Sequence, residues 1–213
     1  MPIVLNKIFP KYFDTVKTDS SDVWLKDIAF KAAQKIQIVA PSGSGKTSLI
    51  HFIYGLRSDY NGEISINDTN INTADAEKLS LLRREAISVV FQDLRLFDEQ
   101  SMAQNLDVKN QLSDYYPKAK ILEMARRLGV AEKLNTLAKI CSYGEKQRFA
   151  IIRALLQPFN FLLLDEPFSH LDGHNRNKAL ALILEECEKR KAALILADLQ
   201  KAEDFPADNF LFL

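Results

Sequence analysis

Cysteine is scarce in this 213-residue chain, with only Cys141 and Cys187. Neither has metal-ligand spacing, and two cannot build a disulfide framework, so a reducing compartment is expected. Histidine is nearly as rare. His51 reads as structural, and His170 and His174, flanking Asp172, read as interface or surface residues rather than metal ligands. Net charge is absent, since 28 Lys and Arg balance 28 Asp and Glu. That removes a general electrostatic drive towards nucleic acid, and no nucleic-acid partner is expected. No apolar run approaches a membrane span, and the N-terminus lacks a signal-peptide pattern. The expected location is cytoplasmic, with any membrane contact made through a partner. Internal repeats and low-complexity linkers are missing too. One domain over 1–213, large enough for a substantial core, follows. The one tryptophan, Trp24, reads as a packing residue near the second strand.

What the chain does have is Ala40-Pro41-Ser42-Gly43-Ser44-Gly45-Lys46-Thr47. This is a phosphate-binding loop with Ala40 where the pattern begins with Gly. Ile36, Ile38 and Val39 lead in and Leu49, Ile50, Phe52 and Ile53 lead out, the strand–loop–helix setting the motif requires. Backbone N–H groups and the helix dipole create positive potential at one spot. Lys46 is placed for β- and γ-phosphates, Thr47 for Mg²⁺, and Ser48 extends the binding set. Ala40 costs about 1 kcal/mol or more if its φ must be positive, and almost nothing otherwise.

Phe161-Leu162-Leu163-Leu164-Asp165-Glu166-Pro167 is an apolar run ending in two carboxylates. It reads as a strand buried on both faces, with its acids where open α/β sheets bind ligands. Asp165 is placed to hold Mg²⁺ through water, and Glu166 to orient or deprotonate the attacking water. Upstream, Ser142 and Glu145 fit a capping box opening a helix that Pro158 ends. That helix start, with a Ser hydroxyl and the Gly144 backbone, is a second phosphate-directed site. A single chain has no use for two such ends on one triphosphate, whereas a dimer does.

These motifs, in this order, resemble the ATP-binding-cassette (ABC) ATPases over essentially the whole chain. Ala40 to Thr47 matches the family's Walker A loop and Leu162 to Glu166 its Walker B strand. Gln92, within Val89-Val90-Phe91-Gln92-Asp93, matches the Q-loop glutamine, which the resemblance places on Mg²⁺ and the attacking water. Cys141-Ser142-Tyr143-Gly144-Glu145 occupies the signature motif, so that Ser142, Gly144 and Glu145 would face a partner's nucleotide. Ser169-His170-Leu171-Asp172 matches the D-loop, and Tyr12 stands where an aromatic stacks on adenine. The resemblance implies ATP and Mg²⁺, with Glu166, Lys46 and Gln92 catalytic and Thr47, Gln92 and Asp165 at the metal. It also implies a homodimer or paired ABC subunit, and an integral membrane permease partner. The segment Phe97 to Leu106 resembles the corresponding region in compact members of the lipoprotein-release, macrolide-efflux and cell-division type.

The implied fold is α/β, a P-loop NTPase with a mostly parallel sheet, an N-terminal antiparallel β part and an inserted α-helical subdomain. Core segments 1–92 and 146–213 would flank helical residues 93–145, and Leu94 to Asn105 would line the groove for the membrane subunit. Besides Ala40 there are two departures. Tyr143 replaces a signature Gly and adds bulk where the family needs close approach. The family's switch histidine is missing, and its place falls to Asp198, or to Ala197 if Asp198 is the residue that follows it. Loss of one preorganised donor costs on the order of 10²–10³ in rate. Two functions follow: an ATPase subunit driving a membrane protein, or a nucleotide-switched module with weak turnover.

Overall fold

The structure, a computed structural model, describes residues 2–13 and 21–213. In chain order its elements are β1 (Ile3–Pro10), β2 (Asp27–Phe30), β3 (Lys35–Val39), α1 (Lys46–Ile53), β4 (Tyr60–Ile66), β5 (Thr69–Asn70), α2 (Ala76–Glu85) and β6 (Ile87–Val90). Then come α3 (Met102–Asn110), α4 (Lys118–Arg127), α5 (Tyr143–Leu155), β7 (Phe161–Asp165), α6 (Gly173–Arg190), β8 (Ala193–Asp198) and β9 (Asn209–Phe212). A parallel sheet runs β6-β7-β8-β3-β9, and an antiparallel sheet runs β2-β1-β4-β5. The expected α/β class, with a mostly parallel sheet beside an N-terminal antiparallel one, is found.

Strand periodicity divides the core. Along β7 and β8, Leu163, Ile195 and Ala197 join Ile36 and Ile38 against α1 and the antiparallel sheet. The alternate residues Leu162, Leu164, Leu194 and Leu196 pack against the helical side with Phe149, Ile152, Leu182 and Ile183. A period of two sends neighbours to opposite faces, so both faces must be covered. Gln37 is the polar exception in β3. It is fully buried yet satisfied, donating to Gln200 O at 2.9 Å and accepting from Ala202 N at 3.1 Å. Those two bonds pin the segment after β8 to the sheet.

Helix starts are set by side chains. Ser142 and Glu145 form the expected capping box on α5, and Ser101 with Gln104 forms another on α3. Helix α6 begins at Gly173, where the Asp172 carboxylate caps the Asn175 N–H at 2.8 Å. Cys187 is buried, since α6 lays it into the helical-side core, and burial pushes its thiol up to about 12.

The sheet register positions the site. Val39 lies opposite Asp198, and Asp165 opposite Ala197. The carboxyl ends of β3, β7 and β8 therefore meet at one rim, where the loops following them can share a ligand.

Candidate functional site

The phosphate loop leaves β3 through Ala40, whose N–H donates to Asp198 O at 3.0 Å. Ala40 does not have a positive φ, and its methyl is fully buried in the core. The departure from Gly is therefore unstrained, the cheaper of the two cases. Ser44 turns the loop, its N–H and hydroxyl both reaching Pro41 O, at 3.2 and 2.8 Å. Gly43 and Gly45 hold φ of +79° and +94°, a region that L side chains enter at a cost. At Gly45 a Cβ would also lie 2.9 Å from the rings of Phe13 and Trp24.

Trp24 has more to do than the sequence suggested. It is 1 % exposed, packs beneath the loop, and donates from Nε1 to Ser44 O at 3.2 Å. Its distance in sequence from the motif hides this role. The loop opens into a cavity of ≈ 330 Å³ whose lining includes Tyr12, Pro41, Ser42, Gly43, Lys46, Thr47, Ser48, Gln92 and Glu166. Phe13, the aromatic that could stand in for Tyr12 on adenine, lines it too, as does Leu199, which nothing in the motifs marks. Tyr12 stands at the rim, half exposed, with its hydroxyl on Ser48 Oγ and the Arg57 guanidinium 4.9 Å above its ring.

The reactive side chains are already engaged with one another. Lys46 is buried and forms an ion pair with Glu166. Glu166 itself sits at φ +47°, a strained setting for a non-glycine residue, and its N–H donates to Ala197 O at 3.0 Å. Thr47 Oγ1 donates to Gln92 Oε1 at 3.2 Å. Asp165 ends β7 with no exposure, and among the described residues neither carboxylate oxygen has a partner at full hydrogen-bond geometry, Thr47 being the nearest donor that acts on it. Burial pushes its carboxyl up to about 6, only partly offset by the nearby Thr47 hydroxyl and Lys46. A buried, unpaired carboxylate beside a hydroxyl and an amide oxygen is a donor set suited to a hard divalent cation. Among the described residues no cluster of three His, Cys, Asp or Glu could hold a metal alone. The residues therefore fit a cation that also takes ligands from water or phosphate.

Sequence reading missed Gln147. It is 1 % exposed on α5 and holds the loop after β7. Its Nε2 donates to Glu166 O at 3.2 Å and Ser169 Oγ at 3.3 Å, and its Oε1 accepts from His170 N at 3.1 Å. A buried polar residue within an apolar stripe is the signal that would have found it.

The start of α5, expected to be a second phosphate-directed end, lies elsewhere. Ser142, Gly144 and Glu145 do not line the phosphate-loop cavity. At Gly144 a Cβ would approach His170 O to 2.9 Å, so close packing of α5 on that loop requires glycine. Tyr143 is 42 % exposed, so it keeps bulk at the surface while also bonding inwards. Its ring leans on His170, centroids 4.1 Å apart, and its hydroxyl donates to Gln92 O at 2.8 Å.

Of the two candidates for the missing histidine, Ala197 is fully buried on the core face, whereas Asp198 lines a cleft with Glu166, Ser169 and Arg176. The Asp198 carboxylate turns along its own chain to accept the Leu199 N–H at 2.7 Å, and burial raises its pKa.

Comparison with known proteins agrees with this geometry. The ABC transporter family profile matches residues 25–169. A thiamine import ATP-binding protein, ThiQ, of Haemophilus influenzae is 36% identical over 81% of this chain and 79% of its own. The lipoprotein-releasing system ATP-binding protein LolD of Idiomarina loihiensis is 32% identical over 84% and 82%. The solved dimeric cassette MJ0796 superposes with a TM-score of 0.80 at 23% identity, covering 93% of this chain and 88% of that one. The same cassette is also known in a post-hydrolysis state with ADP and Pi. Neither the profile nor these relatives support the switch-module alternative, which is set aside. The chain belongs to the ABC transporter family, as an ATP-binding-cassette ATPase domain.

Proposed function

We propose that this chain binds ATP with Mg²⁺ in the phosphate-loop cavity, pairs with a second copy or a related ABC subunit around two nucleotides, and drives a separate membrane permease. The observation that carries the reading is Asp165, buried with both oxygens unpaired beside Thr47 and Gln92. In this reading Lys46 leaves Glu166 for the β- and γ-phosphates, and the loop N–H groups from Ser42 to Ser48 cradle the remaining oxygens. Tyr12 offers its half-exposed ring to adenine. Thr47, Gln92 and Asp165 hold the metal, which when bound neutralises charge on the phosphate oxygens. Glu166, freed from Lys46, orients or deprotonates the attacking water, and Gln92 helps place it. Positioning and charge neutralisation are most of what phosphoryl transfer demands.

Ser142, Gly144 and Glu145 face the nucleotide of the other subunit, since they do not reach the cavity of their own chain. ThiQ and LolD are named as ATP-binding proteins of an import and a release system, and MJ0796 is described as dimeric, which supports both partnerships. Among the described residues no helix is long and apolar enough to cross a membrane. In this reading the permease supplies attachment at the cytoplasmic face. Residues 93–145 are read as the helical subdomain between core segments 1–92 and 146–213. At their border a groove of ≈ 200 Å³, lined by Tyr54, Phe91, Arg95, Phe97, Val108 and Leu112 among others, is read as the permease dock.

Glu166→Gln tests the reading. Hydrolysis is expected to fall by about 10²-fold or more, by analogy with loss of other transition-state groups, while an ATP-bound dimer accumulates. Sedimentation at saturating Mg-ATP reads the second effect, and a protein that stays monomeric there would overturn the shared-site reading.

A further inference from the structure

The turn that follows Gln92 is unusual. Leu94 and Arg95 are consecutive non-glycine residues in the left-handed region, at φ +57° and +48°. Each such residue costs about 1–2 kcal/mol, so the turn needs external support. Helix α5 supplies it from both ends. In its last turn Arg153 donates from Nη2 to Leu94 O at 2.5 Å and from Nη1 to Arg95 O at 2.6 Å. In its first turn the Tyr143 hydroxyl donates to Gln92 O at 2.8 Å.

Tyr143 works from a fixed platform. The capping box locks the backbone at Ser142 and Glu145. The ring rests on His170, whose N–H is held by Gln147 and whose Nδ1 lies 2.9 Å from Ser169 Oγ. From there one bond fixes the backbone of Gln92, and the Gln92 side chain meets the Thr47 hydroxyl at 3.2 Å. Tyr143, Thr47, Gln92 and Asp93 also share one cleft of ≈ 310 Å³. A signature glycine could not make this link.

We infer that Tyr143 is a positioning residue: it aims the Gln92 amide at the metal and the attacking water by holding the Gln92 carbonyl against the start of α5. The inference rests on the catalytic and metal-binding reading of Gln92. Tyr143→Phe isolates it, because the ring stays on His170 and only the donor is lost. The carbonyl left behind is near solvent, so thermal stability should hardly move.

The experiment is a double-mutant cycle over Tyr143→Phe and Gln92→Ala. The first readout is Mn²⁺ affinity, by paramagnetic resonance, in the presence of a non-hydrolysable ATP analogue, which needs no turnover. The second is kcat against KM for ATP. Tyr143→Phe is expected to weaken Mn²⁺ binding about 3- to 10-fold and to lower kcat similarly, with KM within about 2-fold, the size of one lost hydrogen bond. In the Gln92→Ala background it should change neither. Wild-type Mn²⁺ affinity in Tyr143→Phe, or a loss that persists undiminished without the Gln92 side chain, overturns the inference while leaving Gln92 its role. Wild-type behaviour in Gln92→Ala would instead overturn the reading of Gln92, and the inference with it.

Discussion

The two helix starts that we read as phosphate-directed are built in opposite ways. The loop before α1 is made of backbone, with two glycines at positive φ, a tryptophan beneath and a cavity above. The start of α5 is made of side chains. There Ser142 and Glu145 satisfy each other, Tyr143 bonds the Gln92 carbonyl, and glycine is needed for closeness to His170 rather than for φ. The first end opens onto a cavity within its own chain. The second is internally satisfied and does not line that cavity. A backbone cradle tolerates few substitutions at its glycines, whereas a side-chain end can be rewritten, and Tyr143 is such a rewriting.

Breaking the cradle should have the largest effect. Lys46→Ala is expected to weaken ATP binding by about 10²–10³-fold, the scale for truncating a buried charged partner. It also strands Glu166, whose side chain is 12 % exposed and has Lys46 as its ion-pair partner. Calorimetric titration with Mg-ATP checks it. Asp198→His, in the cleft beside Glu166 and Ser169, should raise turnover about 10-fold or more by returning a donor where the carboxylate now accepts the Leu199 N–H. Steady-state hydrolysis reads that change, and an unchanged rate would mean that the rim position is not limiting.

Alanine at three glycines sharpens the contrast with smaller effects. Gly45→Ala combines positive φ with two ring clashes and should cost about 2–4 kcal/mol of stability. Gly43→Ala meets open space, so only its backbone penalty, about 1 kcal/mol, remains, and nucleotide binding should suffer with it. Gly144→Ala gains helix propensity and loses close packing, for a net cost of about 1 kcal/mol. It should leave nucleotide binding intact and weaken pairing of subunits. Thermal unfolding, titration and sedimentation on the same three proteins separate these outcomes.

The first end was almost fully legible in the sequence, because Ala40 to Thr47 is contiguous and its chemistry is local. The apolar run into Asp165 was legible for the same reason. Sequence spacing also placed the capping box on Ser142 and Glu145, since a cap spans only one turn. What escaped notice depends on tertiary contact. Trp24 reaches the loop from before β3, Gln147 holds the β7 loop from α5, and Arg153 clamps a turn from the far end of the same helix. Glu166 at positive φ carries no local mark either. The sequence left open whether Ala40 was strained and which way Tyr143 and Asp198 pointed. All three turned on backbone angles and rotamers that the surrounding structure decides.

Trp24 is the only tryptophan in the chain, and its indole N–H holds the carbonyl of Ser44 inside the loop. One buried fluorophore therefore sits against this loop, and its emission is expected to change when the cradle loads, without background from any second indole.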